Sequence, residues 1–186
     1  MRYRTSKATI ALALLATLPT HAAEVKVAVS SNLGAAIHAL KPKFEAATGH
    51  ELRISTGSTG KLYAQIRNGA PFGVFLAADT RRPRKLDEAE AVAEGGRFTY
   101  AQGRIALWSP DPGRVHGPAT LAGGNFRHLA IANPRTAPYG LAAKQTLQAL
   151  GLWPDLQGKI VRGENIGQTH QFVASGNAEL GFVALS

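Results

Sequence analysis

From Glu24 onward the chain alternates short apolar runs with stretches of helical period. EVKVAV (24–29) sets a valine at every second position, as a half-buried strand does. Leu33, Ala36, Ile37, Leu40 and Phe44 then recur at three- and four-residue spacing, the mark of one helix face. Pro42 falls inside that stretch and predicts a kink or an early end. ELRIST (51–56) leads into KLYAQIRNG (61–69), and VFLAAD (74–79) into a charged helix over 82–93. FTYAQGRIALWSP (98–110) reads as one long strand or two short ones. HLAIANP (128–134) reads as a strand and GLAAKQTLQALGL (140–152) as a strong helix ended by Gly151. KIVRG (159–163), IGQTHQFVASG (166–176) and ELGFVAL (179–185) close the series as strand, helix and strand. This alternation predicts an α/β fold with mainly parallel sheets, in which ligands collect at the carboxyl ends of the strands. The pattern contains no internal repeat. It stops on a strand with no helix to cover it, which suggests a sequence truncated at its C-terminus.

Residues 1–22 stand outside the pattern. Arg2, Arg4 and Lys7, with no acid among them, precede the apolar ATIALALLATL, which is too short to span a bilayer. Thr20 and Ala22 then bring small residues to the usual cleavage offsets, so a secretory signal peptide cut near Ala22 or Ala23 is expected. The 186 residues, 45% of them hydrophobic, can bury a core as one long domain or two small lobes. The absence of cysteine excludes disulfides, thiolate metal sites and cysteine nucleophiles. Three of the charges behind the net +9 lie in the leader, which leaves +6 on the remainder. An exported protein rarely meets nucleic acid, so no such partner is expected. The dense cluster of Arg81, Arg82, Arg84 and Lys85 reads as the solvated start of the charged helix.

Four strand-to-helix junctions share one chemistry: SSNLG (30–34), GSTGK (57–61), NPRTAPYG (133–140) and ENIGQ (164–168). The first N–H groups of a helix lack internal partners and sit at the positive end of its dipole. Several such starts aimed at one point bind an anion without formal positive charge, with hydroxyls as further donors. Any one junction alone is an ordinary N-cap, whereas four together argue for an anion pocket. GSTGK is not a phosphate loop, because the spacing is wrong and Lys61 is followed by Leu62. Nor does it form the Gly-x-Ser-x-Gly elbow of a serine hydrolase. The histidines at 38, 50, 116, 128 and 170 carry no triad or zinc spacing.

In order along the chain, EVKVAVSSNLGAAI, NGAPFGVFLAAD, FTYAQGRIALWS, NPRTAPYG, ENIGQ and ELGFVALS resemble the periplasmic molybdate-binding proteins of ABC transporters. NGAPFGVFLAAD is the most specific piece and NPRTAPYGLAA the next. The resemblance covers essentially everything after the leader. It implies a two-lobed type II periplasmic binding protein fold, with lobe 1 over 23–104 and most of lobe 2 over 105–186, closing on a hinge over a tetrahedral dianion. It also implies that a C-terminal return segment is missing.

Carried over by motif, Ser31 and Asn32 would donate from the first junction and Thr59 from the second, with Ser58 as its neighbouring substitute. The backbone N–H groups of Ala78 and Ile166 and the hydroxyl of Tyr139 would complete the set. Many members of the family take their tyrosine from the last strand, where this chain has Ala184, and a subgroup takes it from the position of Tyr139. The implied protein is no enzyme and needs no cofactor. It is a periplasmic monomer that holds molybdate or tungstate through donors alone and delivers it to an inner-membrane permease. Two alternatives stand beside it. One is the same fold with sulfate, phosphate or another small solute; the other is an exported phosphate- or sulfate-ester hydrolase using Ser58 or Thr59. The latter would need a general base and usually a metal, and no base stands out.

Overall fold

The computed structural model describes residues 22–186, so the signal peptide expected over 1–22 lies outside the described residues except for its last position. Two sheets form. The first joins β1 (Glu24–Ser30), β2 (Glu51–Gly57) and β3 (Val74–Leu76) in the order β2-β1-β3, all parallel. With it go the helices α1 (Gly34–Thr48), α2 (Thr59–Arg67) and α3 (Arg81–Asp87). The second contains β4 (Ile105–Trp108), β5 (Leu129–Ala132), β6 (Ile160–Gly163) and β7 (Leu180–Ala184) in the order β4-β7-β5-β6. Only β4 runs antiparallel, against β7. Around it lie α4 (Pro118–Ala122), α5 (Pro138–Ala149), α6 (Trp153–Leu156) and α7 (Ile166–Ala174). The alternation of strand and helix thus gives the α/β, mainly parallel architecture expected of it.

The main core sits in the second half. β5 is flanked by strands on both sides, and all of LAIA is buried, which is why it reads as an unbroken apolar run. Leu129, Ile131, Leu147 and Leu180, each 0% exposed, interlock there with Phe126, Leu156 and Phe182. The first half has a thinner core, in which Val27, Val29 and Leu52 are backed by partly buried Leu33, Ile37 and Ile54.

Several local expectations are corrected. α1 runs through Pro42 to Thr48. Pro42 and His38 are both exposed, so the carbonyl that the proline leaves without an N–H is open to water. Leu40 and Phe44, expected on its buried face, are 54% and 39% exposed. The helix expected over 82–93 ends at Asp87, and Glu90 turns the chain with a left-handed φ of 54°. Of residues 98–110 only Ile105–Trp108 joins a sheet. Tyr100 lies beside β3 without pairing to it, its hydroxyl donating to the Ala77 carbonyl at 2.8 Å. Among the described residues no helix is long and apolar enough to cross a membrane.

Candidate functional site

Parallel register decides where the junctions meet. Ser30 at the end of β1 lies opposite Gly57 at the end of β2, and Val29 opposite Leu76 of β3. The turns carrying Ser31, Ser58 and Ala78 therefore leave one edge of the first sheet together. In the second sheet Ala132 lies opposite Gly163, so NPRTAPYG and ENIGQ leave a common edge as well.

The two edges face each other. Gly60 at the start of α2 donates its N–H to the Thr136 carbonyl at 2.8 Å. A Cβ built on Gly60 would lie only 2.8 Å from that oxygen, so glycine is what permits the approach. Ser31 Cβ is 3.7 Å from the position a Cβ would take on Gly167 in α7. Ala78, from the first half, packs in one cluster with Ala132, Ala137, Tyr139 and Ile166 from the second.

At the second junction the two adjacent hydroxyls differ. Thr59, fully buried, donates Oγ1 to Ser30 Oγ at 3.0 Å and accepts from the Ala78 N–H at 3.2 Å. Its hydroxyl and the Ala78 N–H, both expected to face a ligand, are thus engaged with each other inside the first half. Ser58 occupies the N-cap position of α2, yet its side chain makes no capping bond. Its residue is 2% exposed and Oγ has no partner in the protein. A buried hydroxyl left unpaired costs about 1–3 kcal/mol, so this serine is set apart from its bonded neighbour Thr59. By contrast Asn165 does cap its helix, accepting from the Gln168 N–H at 3.0 Å, which leaves the Ile166 N–H at the first turn without an intrahelical acceptor.

Two further buried polar atoms are unpaired here, Asn32 Oδ1 and Thr136 Oγ1. Rotating the Asn32 amide half a turn exchanges that oxygen for an N–H donor. Tyr139 is buried, and burial raises the pKa of its phenol against the opposing hydrogen bonds of Ser186 and Asn32. It therefore keeps its proton at neutral pH and remains a donor. A Cβ on Gly103 would stand 1.9 Å from its hydroxyl, so glycine at this position makes room for the phenol.

Charge is arranged around the rim. Asp79 follows Ala78, and both its oxygens are held by Arg82: Oδ1 accepts from the Arg82 backbone N–H at 2.9 Å and Oδ2 pairs with the guanidinium. Glu164 precedes Asn165 and pairs with Lys61 of the opposite half. Arg82, read as part of a solvated cluster, is only 8% exposed, whereas Arg81, Arg84 and Lys85 are exposed as expected. Among the described residues no three His, Asp or Glu side chains converge as cation ligands. Thr136 was not among the expected site residues, and Arg82 was expected only as part of a solvated helix start. For Thr136 the signal is its hydroxyl within the NPRTAPYG junction, three residues before Tyr139.

Two parallel-rich sheets meeting at the carboxyl ends of their strands, around unpaired donors, define the architecture of a solute-binding protein. The family of bacterial extracellular solute-binding proteins matches residues 25–186, and the chain belongs to it. It is 51% identical to the molybdate-binding protein ModA of Azotobacter vinelandii, a match covering 100% of this chain and 75% of that protein. It is 42% identical to the ModA of Rhodobacter capsulatus, over 98% of this chain and 73% of that protein. The solved periplasmic molybdate-binding protein of Azotobacter vinelandii superposes with a TM-score of 0.83 at 48% identity, covering 87% of this chain and 71% of that one.

Proposed function

We propose that this chain is a periplasmic receptor that binds molybdate, and with it tungstate, between two lobes built on the two sheets, and that lobe closure presents the ion to an ABC permease. The unpaired, buried hydroxyl of Ser58 carries the reading. It sits at a helix start facing the second half, where a dianion would accept its hydrogen bond and draw on the dipoles of α2 and α7. Ser31, Asn32, Tyr139 and the Ile166 N–H are the further donors, and Thr136 Oγ1 joins them. Ser58 takes the contact in place of Thr59, whose hydroxyl instead fixes Ala78.

Molybdate is fully ionised at neutral pH and offers no proton, so a pocket of donors suits it. The two carboxylates nearest in sequence, Asp79 and Glu164, are each paired with a cation. The relatives named for molybdate support the choice among oxyanions. Their being binding proteins rather than enzymes fits a site that offers donors and no general base.

Titration calorimetry of the purified protein with molybdate, tungstate, sulfate and phosphate tests the reading. Saturable binding of the first two and far weaker binding of the others is the expected result. Tightest binding of sulfate or phosphate would move the assignment to another solute. Turnover of a chromogenic phosphate ester without binding of any of the four ions would replace the receptor with a hydrolase.

A further inference from the structure

Arg82 makes three contacts at once. Its backbone N–H and guanidinium take up both oxygens of Asp79, and Nη2 donates to the Arg135 carbonyl of the second half at 3.2 Å. The same Nη2 would lie 2.9 Å from a Cβ on Gly60, so the guanidinium is wedged beside the Gly60–Thr136 bond that joins the halves. At 8% exposure it is the most deeply set member of the Arg81–Lys85 cluster, and a buried cation persists only where it is paired.

The position has a chemical consequence. Asp79 is the residue after Ala78, which packs against Tyr139 and Ile166. A free carboxylate there would repel a bound dianion across a partly desolvated gap, where charges interact more strongly than in water. A planar guanidinium can satisfy a carboxylate and a carbonyl together, which a lysine ammonium on a flexible stem does poorly. Lys61 with Glu164 repeats the charge pairing on the other side of the rim, but there the two side chains are 57% and 54% exposed and the pair is weak.

We propose that Arg82 is a positioning residue of the oxyanion site. It neutralises Asp79 and, through the same guanidinium, docks the 135–136 turn of the second half onto the first, so that it sets both the affinity for the ion and the closed geometry. This rests on the oxyanion reading above.

The test compares wild type, Arg82→Gln, Asp79→Asn/Arg82→Gln and Arg82→Lys in the whole protein, by molybdate calorimetry, stopped-flow dissociation and solution scattering with and without molybdate. Arg82→Gln is expected to bind molybdate at least tenfold more weakly. The double variant, with the carboxylate gone, should recover threefold or more of that affinity. Its molybdate should still dissociate faster than from wild type and its ligand-bound scattering radius should stay larger, because the bridge to Arg135 is not restored. Simple loss of structure would not give that split. Arg82→Lys keeps the charge but not the fork, and should fall between wild type and Arg82→Gln. It carries the test alone if the glutamine variants do not fold. Affinity within twofold of wild type in Arg82→Gln or Arg82→Lys, or no recovery in the double variant, overturns the proposal. Absence of oxyanion binding by wild type overturns the receptor reading, and this proposal with it.

Discussion

The second half of the chain is built around β5, with strands on both sides and helices on both faces, whereas the first half carries a three-stranded sheet whose longest helix buries nothing completely. Leu129, Ile131, Leu147 and Leu180 are wholly enclosed in the second; in the first, the buried cluster is Val27, Val29 and Leu52. Yet the engaged hydroxyl network, Ser30–Thr59–Ala78, belongs to the thinner half. The contrast separates two ways of ordering the facing edges of the sheets. The second half packs Tyr139 and Ile166 together with Ala132 and Ala137, and the first ties Ser30, Thr59 and Ala78 to one another by local hydrogen bonds while the adjacent Ser58 hydroxyl stays unpaired.

The largest effect that could break this contrast is in the cores. Leu147→Ala should cost about 3 kcal/mol, the usual outcome of opening a cavity among enclosed side chains. Leu52→Ala, at a site 7% exposed beside a thinner cluster, should cost less, about 2 kcal/mol. Urea denaturation of both variants checks the order, and an equal or reversed order would mean that the halves are not unequal in the way their packing suggests.

Next come the two adjacent hydroxyls. Ser58→Ala should weaken molybdate binding about tenfold, or about 1.4 kcal/mol, while leaving the unliganded protein as stable as before or slightly more so, since it removes an unpaired buried group. Thr59→Val should do the reverse. It breaks bonds to Ser30 and Ala78 and costs about 1–2 kcal/mol of stability, with a smaller loss of affinity. Calorimetry and thermal unfolding on the same samples separate the two, and equal profiles would erase the distinction between Ser58 and Thr59.

A smaller, pH-dependent effect belongs to the second half. Burial alone would raise the pKa of Glu179, but hydrogen bonds from the backbone of His128, Glu179 and Arg127 and from the Arg127 side chain bring it down to about 2, from an ordinary 4.5. A lowered carboxylate pKa contributes stability that is present above the unfolded value and lost as pH falls toward the folded one. Wild type should therefore lose about 1 kcal/mol more than Glu179→Gln between about pH 6 and about pH 3. Parallel slopes in urea unfolding at the two pH values would remove this carboxylate from the account.

What the sequence made legible follows the same division. The continuous apolar LAIA and the helix closed by Gly151 form as read, and EVKVAV forms its strand, though Val27 to Ser30 are all buried instead of alternating because β1 lies between β2 and β3. The four junctions could be grouped because helix starts have a fixed chemistry wherever they occur. Contacts between distant segments were not legible. Nothing local in RRPRK distinguishes the buried Arg82 from its exposed neighbours, because its partners include a carbonyl 53 residues away. In GSTG the choice between Ser58 and Thr59 depends on Ser30 and Ala78, which only the folded sheet brings near. Residues 98–104 have strand-like composition, but composition cannot say whether an edge is offered for pairing.

The smallest effect is the sharpest check on the thin half. Leu40 has the spacing of a core residue on α1, and in a well-covered helix its loss would cost several kcal/mol. Here it is 54% exposed, beyond Leu33 and Ile37, which reach the sheet. A polar residue there loses little packing and reduces the apolar surface offered to water. Leu40→Ser is expected to change the unfolding free energy by less than about 0.5 kcal/mol, while Ile37→Ser, three residues earlier on the same face, should cost clearly more. If Leu40→Ser destabilises as strongly as Ile37→Ser, then Leu40 is covered in solution, and the first half has a second buried face rather than one.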